Sequence, residues 1–170
     1  MSVYASLLSV LRWIAAISLL AGTASAAALD VGQAAPDFKL EGVDEAITLS
    51  GLRGHLVYVD FWASWCVPCR QSFPWMNTLQ GKFRDKGLRV VAINLDETVD
   101  ASKEFLTRWP PNFKIAFDPT GITPRAFGLL GMPTSFLIGR DGKVIFRHLG
   151  FRNSDRAELE ARIATALAAS

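Results

Sequence analysis

Cysteine and histidine are scarce in this chain, two of each among 170 residues. The histidines, His55 and His148, each lie beside a strand end and far from each other in sequence. They read as strand-end residues rather than ligands, so no metal and no cofactor is expected. An excess of one charge is missing as well. Lys and Arg number 18 against 16 Asp and Glu, a formal +2 with the signs interspersed. That balance lacks the basic stripe a nucleic-acid partner requires. No internal repeat is visible.

A clean apolar run of the roughly 20 residues needed to span a bilayer is also absent. The nearest approach, Leu7 to Ala28, includes Arg12, Gly22 and Thr23. Its core is the nine-residue stretch Trp13–Ala21, followed by the small-x-small pattern Ala24-Ser25-Ala26. Basic residue, short apolar core and small-residue site together read as a secretory signal over residues 1–26. Cleavage after Ala28 is the second choice. An uncleaved anchor formed by residues 7–28 is the alternative. No cysteine lies near this leader, which rules out lipid attachment there. One domain, residues 27–170, follows.

An exported domain works where disulfides persist, yet the only cysteines are Cys66 and Cys69. A disulfide framework uses several well-separated cysteines. A bridge across two intervening residues closes so small a loop that it constrains the unfolded chain little. Structure is therefore a poor reason for this pair, and chemistry a better one.

What the chain does contain is half apolar residues, enough for a sizeable core. Leu56–Trp62 is apolar on both alternating faces, the pattern of a strand covered on both sides. A helix from about Cys66 to Lys86 follows, burying Phe73, Met76, Leu79 and Phe83, with Gly87 as its C-terminal cap. Leu88–Leu95 reads as the second core strand, and a helix near Asp100 to Trp109 stops at Pro110-Pro111. Phe113–Phe117 is a short strand, and a short helix is expected around Pro124 to Leu130. Thr134–Ile138 and Val144–Leu149 form a hairpin through Arg140-Asp141-Gly142. The last helix runs from about Asp155 to Ala168, with Asp155 and Glu158 at capping-box spacing. Alternating strands and helices that end in a hairpin imply an α/β sandwich, a mixed central sheet with helices on both faces.

The chemistry concentrates in Trp62-Ala63-Ser64-Trp65-Cys66-Val67-Pro68-Cys69. Residues three apart in a helical turn lie about 5–6 Å from each other, inside the window for a disulfide. Cys66, nearer the helix N-terminus, gains most from the free amides and dipole, so it is the candidate nucleophile. Cys69 is the candidate resolving thiol. Trp62 and Trp65 frame the site or serve as large core and rim side chains. Asp60 is a carboxylate within an apolar strand. Burial raises its pKa and suits it to take the Cys69 proton, unless hydrogen bonds tie it up.

These residues resemble thioredoxin, and more closely the secreted TlpA/ResA-like thiol–disulfide oxidoreductases of the redoxin group. The likeness runs from about Val31 to Ala168. It includes Ala35-Pro36-Asp37-Phe38-Lys39-Leu40, the Trp-Cys-Val-Pro-Cys run, Pro74, Asn94-Leu95-Asp96, and Gly131-Met132-Pro133-Thr134-Ser135-Phe136-Leu137-Ile138. The resemblance implies a thioredoxin-like sandwich and a cis Met132–Pro133 bond facing the cysteines. It implies that Trp65, Val67, Pro68, Met132 and Pro133 contact the substrate, and it supports an acid role for Asp60. It further implies a periplasmic reductant of disulfide-bearing proteins, apocytochrome c or copper-site proteins among them, recharged by a membrane thiol reductase.

Two positions depart from the group. Ser72 stands where many members carry a Glu, and Ala92 where thioredoxin has a lysine near the buried acid. Other chemistries are weaker fits. Val67-Pro68 offers no charge or imidazole to stabilise a thiolate, which favours a reductant over a disulfide oxidase or isomerase. A peroxidase would need Pro and Thr where Val59 and Ala63 stand. A copper-handling chaperone on the same fold would need a C-x-x-x-C pair and an approaching histidine.

Overall fold

Strand β3, Leu56–Trp62, is buried at all seven positions and forms the axis of the molecule. It belongs to a computed structural model whose described residues are 29–169. The expected signal or anchor lies outside them. β3 has parallel β4 (Leu88–Asn94) on one side and antiparallel β6 (Thr134–Ile138) on the other. The sheet extends through β5 (Lys114–Phe117), parallel to β4, to an antiparallel pair, β1 (Lys39–Gly42) and β2 (Ile47–Thr48). On the other side β7 (Val144–Leu149) closes the order β2-β1-β5-β4-β3-β6-β7. The mixed sheet and single α/β domain agree with the expectation.

Alternation along β3 divides the core in two. Leu56, Tyr58 and Trp62 meet α1 (Cys69–Phe83) through Phe73, Met76, Leu79 and Phe83, and α4 (Arg156–Ala168) through Leu159 and Ile163. Phe105 of α2 (Val99–Arg108) joins this layer. Val57, Val59 and Phe61 face the other layer. There Phe127, at the end of α3 (Ile122–Ala126), packs with Phe136, Phe38 and Ile93. Burial of each such aliphatic or aromatic side chain is worth about 1.5–3 kcal/mol.

Several boundaries differ from the sequence reading. α1 begins at Cys69 rather than Cys66. The Arg70 and Gln71 amides reach back only three residues, to the Val67 and Pro68 carbonyls, so a tight turn precedes the helix. α3 starts at Ile122, earlier than expected, because the Asp118 carboxylate accepts the Gly121 and Thr123 amides and organises its first turn. Asp155 does not cap α4 with Glu158; its carboxylate accepts the Arg152 amide at 2.8 Å and orders the turn ahead of the helix. α1 ends at Phe83 rather than Lys86, and Gly87, at φ 100°, closes the 3-10 turn Arg84–Lys86 that follows it. Among the described residues no helix is long and apolar enough to cross a membrane.

Candidate active site

The carboxyl end of β3 hands the chain directly to Ala63-Ser64-Trp65-Cys66. The Cys66 amide donates to the Ala63 carbonyl, and Val67-Pro68 turn the chain into α1, which opens on Cys69. Pro68, which lacks an N–H, loses nothing there. The two cysteines are joined as a disulfide with Cα atoms 5.3 Å apart. Cys69 is fully buried, whereas Cys66 retains 4% exposure between the open side chains of Trp65 and Val67. Cys66 is thus the less buried of the two.

The Ser64 loop is pinned from β4. Asp96, just past that strand, accepts the Ser64 amide and hydroxyl and the Asn94 side-chain amide. Asn94 and Asp96 belong to the Asn94-Leu95-Asp96 run of the family resemblance, and the fold gives them a part in holding the cysteine loop.

Asp60 points to the same face of β3 as Tyr58 and Trp62, which pack in the cluster that contains both cysteines. Its neighbours in the sheet are Ala92 on β4 and Ser135 on β6. It is 2% exposed, and its Oδ2 has no hydrogen-bond partner. Burial without a compensating donor pushes the carboxyl well above the usual carboxylate range. Tyr58 donates to Ser135 Oγ at 2.7 Å, and its phenol is raised by burial and then by the negative charge of Asp60, against the opposing Ser135 bond. Neither Tyr58 nor Ser135 stood out in sequence, because their partnership spans 77 residues.

The Met132–Pro133 bond is cis. Thr134, next along, pairs with Phe61 near the end of β3. The antiparallel register thus brings the Met132–Pro133 loop to the pole that carries the cysteines. Met132 packs on the cluster containing both of them, and Pro133 is buried. The Pro133 carbonyl accepts the Gly150 amide at 2.7 Å. Ser72 is buried, and its hydroxyl donates to the Cys69 carbonyl at 3.1 Å, so this departure leaves a neutral group under the disulfide.

His55 and His148 stay outside the site. His55 precedes β3 at its far end, and His148 lies 3.4 Å from the Asp155 carboxylate. Among the described residues no group of three or more His, Cys, Asp or Glu converges on a point.

A disulfide across two intervening residues at the end of a central strand, its first cysteine the less buried and a buried acid on the strand face that packs on the same cluster, defines a thiol–disulfide oxidoreductase of the thioredoxin superfamily. Within it the chain belongs to the redoxin family, whose model matches residues 30–163. It is 35% identical over 131 residues to thiol-disulfide oxidoreductase ResA of Bacillus thuringiensis subsp. konkukian (strain 97-27), 76% of each chain. With ResA of Bacillus subtilis (strain 168) it shares 36% over 115 residues, 67% of this chain and 64% of the relative. The fold is also similar to a crystal structure described as thiol:disulfide interchange protein DsbE from Chlorobium tepidum. There the TM-score is 0.81 and the identity 54%, over 82% of this chain and 99% of that one.

Proposed function

We propose that the protein is an exported dithiol reductant of protein disulfides, acting in the periplasm after removal of residues 1–26 or held at the inner membrane by residues 7–28. The observation that carries this reading is a cysteine pair of unequal residue exposure at the end of the strand that also holds a buried, unpaired carboxyl.

The reduced enzyme attacks with the Cys66 thiolate. One substrate sulfur bonds to Cys66, and the other leaves as a thiolate that takes up a proton. Asp60 accepts the proton of Cys69, whose thiolate then attacks the Cys66 sulfur. The Cys66–Cys69 bond closes, the second substrate thiol departs, and two electrons have passed to the substrate. Trp65, Val67 and Pro68, with Met132 and Pro133, form the rim that the substrate meets, and the backbone at Met132 pairs with its extended segment. A membrane thiol reductase returns the electrons.

The reducing direction is supported by Val67-Pro68, which supplies no charge to stabilise a thiolate. The expected potential lies nearer the roughly −270 mV of thioredoxin than the roughly −120 mV of a strong oxidant. Apocytochrome c and copper-site proteins are the proposed substrates. Expression of Cys69→Ser in cells should trap the partner as a mixed disulfide on Cys66. Trapping by Cys66→Ser, through the Cys69 sulfur, in place of trapping by Cys69→Ser overturns the reading.

A further inference from the structure

Next to the disulfide lies a cleft of about 190 Å³. Trp65 and Arg70, one before Cys66 and one after Cys69, form one wall. Glu104, Phe105, Arg108 and Trp109, from α2 and its C-terminal cap, form the other. The volume is below that of small-molecule sites and suits a single side chain.

The walls are unlike a plain apolar slot. Phe105 is buried, and Trp65 is 66% exposed, so aromatic surface is open at the mouth. Two cations face one acid. Arg108 is paired with Glu104 on the same helix at 3.4 Å. The Arg70 side chain has no ion pair or hydrogen bond among the described residues. One guanidinium thus stands uncompensated beside the reactive pair. Trp65 precedes Cys66 and Arg70 follows Cys69 in the chain, so the cleft borders the turn to which a substrate chain is bonded.

We propose that the cleft is a substrate subsite that accepts an acidic side chain adjacent to the reactive cysteine, its carboxylate on Arg70 and its stem against Trp65 and Phe105. A guanidinium forks onto a carboxylate with two parallel bonds, whereas a neutral side chain leaves it unanswered. The Arg108–Glu104 pair is exposed and therefore weak, so Arg108 can turn toward the same carboxylate. The subsite rests on Cys66 being the attacking sulfur.

The test uses the reduced full chain and single-cysteine peptides activated as 2-pyridyl mixed disulfides, with Asp, Ser, Phe or Lys next to the cysteine. The Cys66 thiolate attacks the peptide sulfur and expels pyridine-2-thiolate, which takes up a proton to become pyridine-2-thione. Cys69 then displaces the peptide as its thiol, and the Cys66–Cys69 disulfide closes. The Asp peptide should release thione about three- to fivefold faster than the Ser peptide at low salt, the scale of an exposed ion pair. That ratio should fall to about one in Arg70→Ala and at high salt, and survive Lys143→Ala, a cation on the distant hairpin.

A ratio unchanged in Arg70→Ala overturns the subsite, as does a Phe peptide that leads regardless of Arg70. An equal loss in Lys143→Ala also overturns it, because general charge would then account for the preference. Release indifferent to the flanking residue removes the subsite alone. No release from any peptide removes Cys66 as nucleophile, and the subsite falls with it.

Discussion

The Asp96 carboxylate accepts both the amide and the hydroxyl of Ser64 at 3.0 Å, joining the end of β4 to the loop that carries Cys66. A 4% exposed acid that also takes the Asn94 amide has a settled set of donors, and the loop inherits that order.

Asp96→Ala removes the acceptor and leaves those donors unanswered. Hydrogen bonds to a charged group contribute about 1.5–3 kcal/mol, and a loss of that size is expected in urea unfolding. Insulin reduction should fall with it. Asp96→Asn keeps one acceptor oxygen and should recover part of both.

Asp60 makes the stability of the oxidised protein depend on pH. Its folded pKa is raised well above the ordinary 3.8, so the folded state holds a proton that the unfolded state has released. Stability therefore declines as pH rises from about the ordinary value to the folded one, and is level beyond it. Each unit of upward shift amounts to about 1.4 kcal/mol. Asp60→Asn should be more stable than the parent at pH 7 and equal to it near pH 3, as read by urea unfolding at both. Reductive turnover should fall in the same variant, most between the raised Asp60 pKa and the pKa of the Cys69 thiol, and the deficit should shrink at lower pH, where Asp60 itself is protonated and no longer a base.

Trp62, Phe73 and Phe105 form a three-ring cluster with centroids 4.7–4.8 Å apart under the cysteine turn. Phe105→Ala opens a cavity there and should lower stability by about 3–5 kcal/mol. Phe105→Leu keeps most of the volume and should lose about 1.5 kcal/mol or less. Calorimetry or urea titration separates the two.

Tyr58→Phe deletes the hydroxyl that donates to Ser135 and leaves a buried serine oxygen without that donor. A loss of about 1 kcal/mol is expected. Ser135→Ala in the same background should add little further, since the partner is already gone, and a double-mutant cycle measures that coupling.

Where burial alone dictated the outcome, the sequence was sufficient. The continuous apolar run of β3 and the hairpin strands β6 and β7 fall at the expected residues. The cysteine spacing and the lone acid in an apolar strand already pointed to the chemistry. What escaped was set by distant partners. Asp96 reaches Ser64 across 32 residues and Tyr58 reaches Ser135 across 77, and neither contact leaves a local pattern. The late start of α1 was hidden for another reason. Val67-Pro68 satisfies helical spacing equally well as a tight turn, and only the three-residue amide bonds distinguish the two.

The segment Gly32–Ala35 is stitched to the β6–β7 hairpin by the Gly32, Ala35 and Val144 amides. That hairpin joins the end of β6 remote from Thr134, so the polypeptide comes into the domain at the pole opposite the sulfurs. Any tether ahead of Leu29 would grip the molecule by its heel. The reactive tip would then face outward from the bilayer, toward soluble clients, and a membrane-bound electron donor would have to reach around the whole body or meet a molecule that swings freely on its leash.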